Sequence, residues 1–324
     1  IYLDYNASTP IDPEVLAVMQ GAMGSAFGNP SSAHWAGQPV MDRVERARAQ
    51  VAALLGCDAQ EIVFTSGGSE SNNLALKAIY YASQRPDAHI ITTQVEHPAI
   101  VEHCKFLERL GARITWLPVD GAGQVDPADL HNAITDDTVL ISIMHANNEV
   151  GTIQPIQECA AIAREHGIPF HTDAAQSVGK IPTRADELGV DLLSIAGHKL
   201  YAPKGVGALY VRDGIRLESL IHGASHESGR RAGTESALLT AALGKACELA
   251  ADLTHIEKVR ELRDRLWTLL HDALGDRMIL NGHPTERLPN TLNVSFPGRV
   301  GADILAATPC IAASTGSACH TGQV

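Results

Sequence analysis

Pro169-Phe-His-Thr-Asp-Ala-Ala-Gln176 and Asp191-Leu-Leu-Ser-Ile-Ala-Gly-His-Lys199 decide the fold class. Each is a short apolar run that breaks into a polar cluster. Runs of this length, bounded by Gly or Pro, suit strands buried on both faces. The same unit recurs upstream, with strands expected at 61–65, 89–94, 114–119 and 138–145, and again downstream at 205–211. Helical patterns lie between them, at 71–83, 99–110, 126–134 and 156–166. The alternation predicts an α/β fold, a mostly parallel sheet covered by helices. Ligands in such sheets collect beyond the carboxyl ends of the strands. Five polar clusters fall there: Thr65-Ser-Gly-Gly-Ser-Glu-Ser-Asn-Asn73, Glu96-His97, His145-Ala-Asn-Asn-Glu149, His171-Thr-Asp-Ala-Ala-Gln176 and Gly197-His-Lys199. Any one of them alone reads as a solvated loop; the set does not.

After about Gly233 the texture changes. Long helices are expected at 235–253 and 256–274, then short strands at 278–281 and 291–296, then a Gly/Ala/Ser-rich loop into Cys319. This predicts a smaller α+β domain. The large domain is expected to span 11–240, and the small one 1–10 plus 241–324.

The chain has 324 residues, enough for a sizeable core, and a net charge of −12 with no basic block. Nucleic acid and anionic membranes are therefore not expected as partners. No run approaches the roughly 18–20 apolar residues of a membrane span. The first residues do not resemble a signal peptide. Six cysteines are scattered without a CxxC pair, which predicts reduced thiols in a cytoplasmic setting. Cys310 and Cys319 with one nearby His make poor metal spacing, so no metal site is expected. The chain stops soon after Cys319, and its C-terminus is expected to be incomplete.

Each cluster has a chemistry and a plainer alternative. Ser66-Gly67-Gly68-Ser69 joins a strand to a helix, where free N–H groups and the Ser69 hydroxyl would favour an anion; the alternative is a Gly turn with a Ser cap. Lys199 follows an apolar run, where burial would lower its pKa and suit it to hold an aldehyde; the alternative is a surface lysine. Lys204 competes but reads as a turn. Asp173 could pair with a protonated pyridine nitrogen, or simply cap a helix. Gln176 and Asn148 could hold a ring oxygen. His97 could stack on a ring or move protons, or be a loop histidine before Pro98. Cys319 has small neighbours that expose its sulfur, and His320 could raise its thiolate fraction. The other five cysteines read as inert.

Together these segments resemble the class V aminotransferase family of pyridoxal-phosphate enzymes, fold type I, and within it the cysteine desulfurases with a long mobile cysteine loop. The resemblance runs through Tyr2-Leu-Asp-Tyr-Asn-Ala-Ser-Thr-Pro10, Phe27-Gly-Asn-Pro-Ser-Ser32 and the five clusters to Arg231-Ala-Gly-Thr-Glu235 and Gly316-Ser-Ala-Cys319. It implies that Lys199 carries pyridoxal 5'-phosphate covalently, that Asp173 pairs with the ring nitrogen, and that Gln176 and Asn148 contact the ring oxygen. Gly68, Ser69 and His198 would hold the phosphate. His97 would stack on the ring and assist proton transfer. Thr234 would reach the phosphate of a neighbouring subunit, making the active unit a homodimer. Cys319 would take sulfur from L-cysteine as a persulfide, leave L-alanine, and pass the sulfur to an acceptor or scaffold protein in iron–sulfur cluster assembly.

The chain departs from the family pattern at several positions. Ala196 stands where Ser is usual, Ser69 replaces Thr, and Gly223-Ala-Ser-His-Glu227 replaces a Gly-rich segment near the dimer interface. His320 replaces a small hydroxyl residue, as selenocysteine lyases tend to do. The arginine expected to bind the substrate carboxylate falls beyond Val324. Two alternatives therefore stay open: a selenocysteine lyase, and a non-catalytic sulfur-carrier scaffold.

Overall fold

The computed structural model of the chain describes residues 1–316; Cys319 and His320 lie outside them. Seven short apolar runs form one sheet: β1 (Ile62–Thr65), β2 (His89–Thr93), β3 (Arg113–Leu117), β4 (Thr138–Ser142), β5 (Phe170–Asp173), β6 (Leu192–Ala196) and β7 (Gly207–Val211). Their order is β1-β7-β6-β5-β4-β2-β3. Strands β2 to β6 pair in parallel, while β7 runs against both β6 and β1. The short connection explains β7. Segment 197–206 holds only a 3-10 turn, and a parallel return needs a crossover of about a dozen residues or more.

Helices cover both faces. These are α1 (Pro13–Met23), α2 (Gln38–Leu55), α3 (Gly68–Ser83), α4 (Pro98–Arg109), α5 (Pro127–Ala133), α6 (Ile156–Glu165), α7 (Ala185–Leu188) and α8 (Ala237–Ala250). Alternation within each strand sorts the core into two layers. Ile62, Phe64, Ile91, Ile141, Phe170, Leu193, Ile195 and Tyr210 pack on one side, with Val44 and Leu55 of α2, Ile156 of α6 and Leu243 of α8. Val63, Ile90, Leu140, Leu192 and Leu209 pack on the other, with Leu74 and Ile79 of α3 and Ile100 and Leu107 of α4. Each such side chain contributes about 1.5–3 kcal/mol of burial. The remaining elements are α9 (Ile256–Leu274), the antiparallel pair β8 (Ile279–Leu280) and β9 (Val294–Ser295), and α10 (Gly301–Ala306).

Two long-range ties fix the frame around the sheet. Arg48 of α2 donates to both carboxylate oxygens of Glu227, at 2.7 and 2.9 Å, and to the Ile62 carbonyl at 2.8 Å. The pair is buried and holds Glu227 and Ser228 in left-handed conformations, φ 48° and 57°. At the other end, Leu3 N–H donates to Ala312 O and Ala312 N–H to Ile1 O, both at 2.8 Å. The first residues thus run beside 310–312 and then turn inward to meet the residues after β6.

Candidate active site

The β1–α3 junction is built from glycines. Gly67 sits at φ 147°, a conformation essentially closed to other residues. Gly207 of β7 faces it, and a Cβ there would fall 2.7 Å from Gly67 Cα. Gly67 is the N-cap of α3 and brings no side chain to cap it. Glu70 reaches back to accept from the Ser66 N–H at 2.7 Å. Ser69 lies exposed in the first turn and is not the cap. The helix start therefore offers backbone N–H groups and a hydroxyl to an anion. A Cβ on Gly68 would lie 3.1 Å from the Ala196 methyl, so β6 ends beside this seat with a methyl and no hydroxyl.

Asp173 ends β5 and is buried. Its Oδ2 accepts from Asn72 Nδ2 of α3 at 2.7 Å, and its Oδ1 from the Ala175 N–H at 3.0 Å. Two donors leave carboxylate lone pairs open for a third. Asn72 Oδ1, beside it, is buried with no hydrogen-bond partner among the described residues.

Lys199 closes the 3-10 turn after β6 and is half-buried. Its Nζ donates to the Asn6 carbonyl and, at 3.0 Å, to the Ala7 carbonyl. Gln176 Nε2 donates to the same Asn6 oxygen at 2.9 Å. The Asn6 side chain donates to Asn148 O at 3.4 Å and Thr291 Oγ1 at 2.9 Å, and accepts from Asn290 Nδ2 at 2.9 Å. Lys199, Gln176 and Asn148 are thus gathered around Asn6. Asn6 lies in the Tyr2–Pro10 segment, but no local pattern marks its role, since its partners lie far along the chain.

His97 caps α4: its Nδ1 accepts the Ala99 N–H at 3.1 Å. In the neutral ring the proton is then on Nε2. His198 is pushed down to about 4, foremost by burial and then by Lys199, Lys204 and His97. That mutual influence puts His97, His198 and Lys199 in one electrostatic neighbourhood, and an anion there would favour the charged His198 ring. Lys204 is exposed on a turn, and Thr234 is exposed ahead of α8.

Three buried groups were not singled out from sequence. Glu96 Oε1 accepts from Thr93 Oγ1 at 2.9 Å and Met144 N–H at 2.8 Å, and burial above all pushes its carboxyl up to about 8. Lys180 is buried and pushed down to about 7, first by burial and then by Lys199. His145 is buried and pushed down to about 4 by burial. Glu96 and His145 stand in two of the strand-end clusters and Lys180 in none, but no local pattern marks their burial, which comes from other strands. Cys104, Cys159 and Cys247 are buried, and burial raises each thiol's pKa. Among the described residues, no group of three or more His, Cys, Asp or Glu could hold a metal ion. No helix of the described residues is long and apolar enough to cross a membrane.

An anion seat, a buried carboxylate with open lone pairs, an amine and an unsatisfied amide oxygen fit pyridoxal phosphate. Known proteins point the same way. The family model described as Aminotransferase class-V matches residues 1–323. The chain is 50% identical over 328 residues to "Cysteine desulfurase IscS" of Dictyoglomus turgidum, covering 100% of this chain and 83% of that one. A solved structure titled "NIFS-LIKE PROTEIN" superposes with a TM-score of 0.91 at 38% identity, covering 95% of this chain and 86% of that one. Another, "SspA in complex with cysteine", gives 0.89 at 38% identity, covering 98% and 90%.

Proposed function

The chain belongs to the class V aminotransferase family, and from that premise we propose that it is a pyridoxal-phosphate-dependent cysteine desulfurase. It converts L-cysteine to L-alanine and hands the sulfur, as a persulfide on Cys319, to an acceptor or scaffold protein for iron–sulfur cluster assembly. The observation that carries this is the convergence of Lys199 and Gln176 on the Asn6 carbonyl, at the end of the sheet where β5 stops at Asp173 and Asn72 of α3 meets it.

When bound, the cofactor supplies an aldehyde that condenses with amines and a ring that withdraws electrons. Lys199 is the residue that would carry it. Gly68, Ser69 and His198 would hold its phosphate, Asp173 its ring nitrogen, and Gln176 and Asn148 its ring oxygen. His97 would stack on the ring and assist proton transfer. The Cys319 thiolate forms the S–S bond as the substrate C–S bond breaks. The electron pair stays on carbon, which takes a proton to give alanine.

A homodimer belongs to the same proposal, supported by Thr234 standing exposed and by the exposed Phe27–Trp35 pair. So does a cytoplasmic setting, supported by the five cysteines among the described residues, all free. So does the division into 11–240 and 1–10 plus 241–324, although α8 packs on α1 and α2 across residue 240.

The test is to load the protein with pyridoxal phosphate, add L-cysteine, and measure alanine together with peptide masses. One added sulfur on the Cys319 peptide is expected, with Cys319→Ala losing that sulfur and Lys199→Ala losing the covalently held cofactor. A sulfur gained on another cysteine instead would overturn the assignment of Cys319.

A further inference from the structure

Lys180 is a second amine at the Lys199 centre. It lies just after β5 and is 8% exposed. Its Nζ donates to Gln176 Oε1 at 3.2 Å. Gln176 Nε2, at the other end of the same amide, donates to the Asn6 carbonyl that Lys199 also reaches. The two contacts fix the amide from both sides. A lysine ammonium has no acceptor, so the atom facing it is the amide oxygen; a backbone carbonyl has no donor, so the atom facing it is the amide nitrogen. Without the lysine, only the Asn6 contact would oppose a 180° flip that turns the Gln176 oxygen toward the Asn6 carbonyl oxygen.

We propose that Lys180 is a positioning residue, which holds Gln176 as an N–H donor toward the Lys199 centre through its bond to Gln176 Oε1. The proposal rests on the reading of Gln176 as a contact of the cofactor's ring oxygen. An oxygen that gathers negative charge there is served by N–H and opposed by C=O. Burial and the neighbouring Lys199 both disfavour the Lys180 ammonium; with Gln176 Nε2 committed to the Asn6 carbonyl, the neutral amine still meets Oε1 and donates an N–H to it.

The experiment compares wild type, Lys180→Met, which cannot donate, and Lys180→Gln, which can. In protein labelled with 15N at glutamine side chains and free of cofactor, hydrogen exchange of the Gln176 amide is read by NMR. Lys180→Met should exchange faster by about tenfold or more, and Lys180→Gln should stay near wild type. In cofactor-loaded protein, the pH at which the bound cofactor's absorption changes should move by about half a pH unit or more, a factor of about three, in Lys180→Met only. Unchanged exchange in Lys180→Met, or equal acceleration in both variants, overturns the proposal. If Lys180→Met does not fold, wild type alone decides: exchange of Gln176 as fast as an exposed glutamine overturns it. A wild type that takes up no cofactor defeats the reading of the site instead, and the exchange data still judge Lys180.

Discussion

At the scale of single residues, Glu96 anchors the turn that carries His97. Its Oε1 ties Thr93 to the Met144 N–H, and Asn147 Nδ2 clips Val95 O at 3.0 Å in the same turn. Its carboxyl ordinarily titrates at 4.5 and is pushed up to about 8 in the fold. The folded state therefore binds the extra proton, so this group's stability is complete below 4.5 and is lost as pH rises through about 8. Glu96→Gln keeps the acceptor and removes the ionisation. It should gain on wild type by a few kcal/mol, as an order of magnitude, between pH 5 and 8.5. Urea unfolding at the two pH values checks this, and an equal difference at both would refute it. Asp173 and Lys199 were legible because an apolar run visibly ends at each. Glu96 also follows such a run, but its role was not legible because the Met144 N–H that holds it lies 48 positions away; Lys180 is a lysine in a short turn like any other.

Among the elements, the start of α3 sets the anion seat. Gly67→Ala puts a methyl on a backbone at φ 147°, which should cost about 1–3 kcal/mol. The strain falls on the N–H groups proposed to hold the phosphate, so affinity for the phosphate-bearing cofactor should drop by about tenfold or more. Denaturant titration and cofactor titration measure the two effects; normal affinity in a folded variant would remove the seat from α3. The alternating runs gave most strands and the helices between them within a few residues. The direction of β7 was not legible, because inward and outward residues alternate alike in parallel and antiparallel strands. Only the short connection before it decides. Helices α1 and α2 precede the first strand and so fall outside the alternation, although Val40, Val44, Val51 and Leu55 mark the buried stripe of α2.

Across the whole molecule, buried histidines govern acid stability. His171 bridges three strands, Nδ1 to Ser142 Oγ at 2.8 Å and Nε2 to Ser194 Oγ at 2.9 Å. Burial foremost pushes it and His145 from 6.5 down to about 4. Their contribution is present above 6.5 and lost as pH falls through about 4. Glu96 opposes with one proton over part of that range, and the two histidines outweigh it. The urea midpoint should therefore fall from pH 6.5 to pH 5, and a midpoint that holds or rises would contradict the assignment. At this scale the sequence showed the sheet and the strand ends, but not the part played by Asn6. Asn6 meets Lys199 across 193 positions and Asn290 across 284. At roughly 5–20 residues per second, a ribosome delivers Lys199 about 10–40 s after Asn6, and Asn290 about 15–60 s after it. Through that interval the nascent chain holds Asn6 without either partner. The speed of translation through the middle of the message therefore sets how long this N-terminal segment waits, open to chaperones and proteases, before the centre can close.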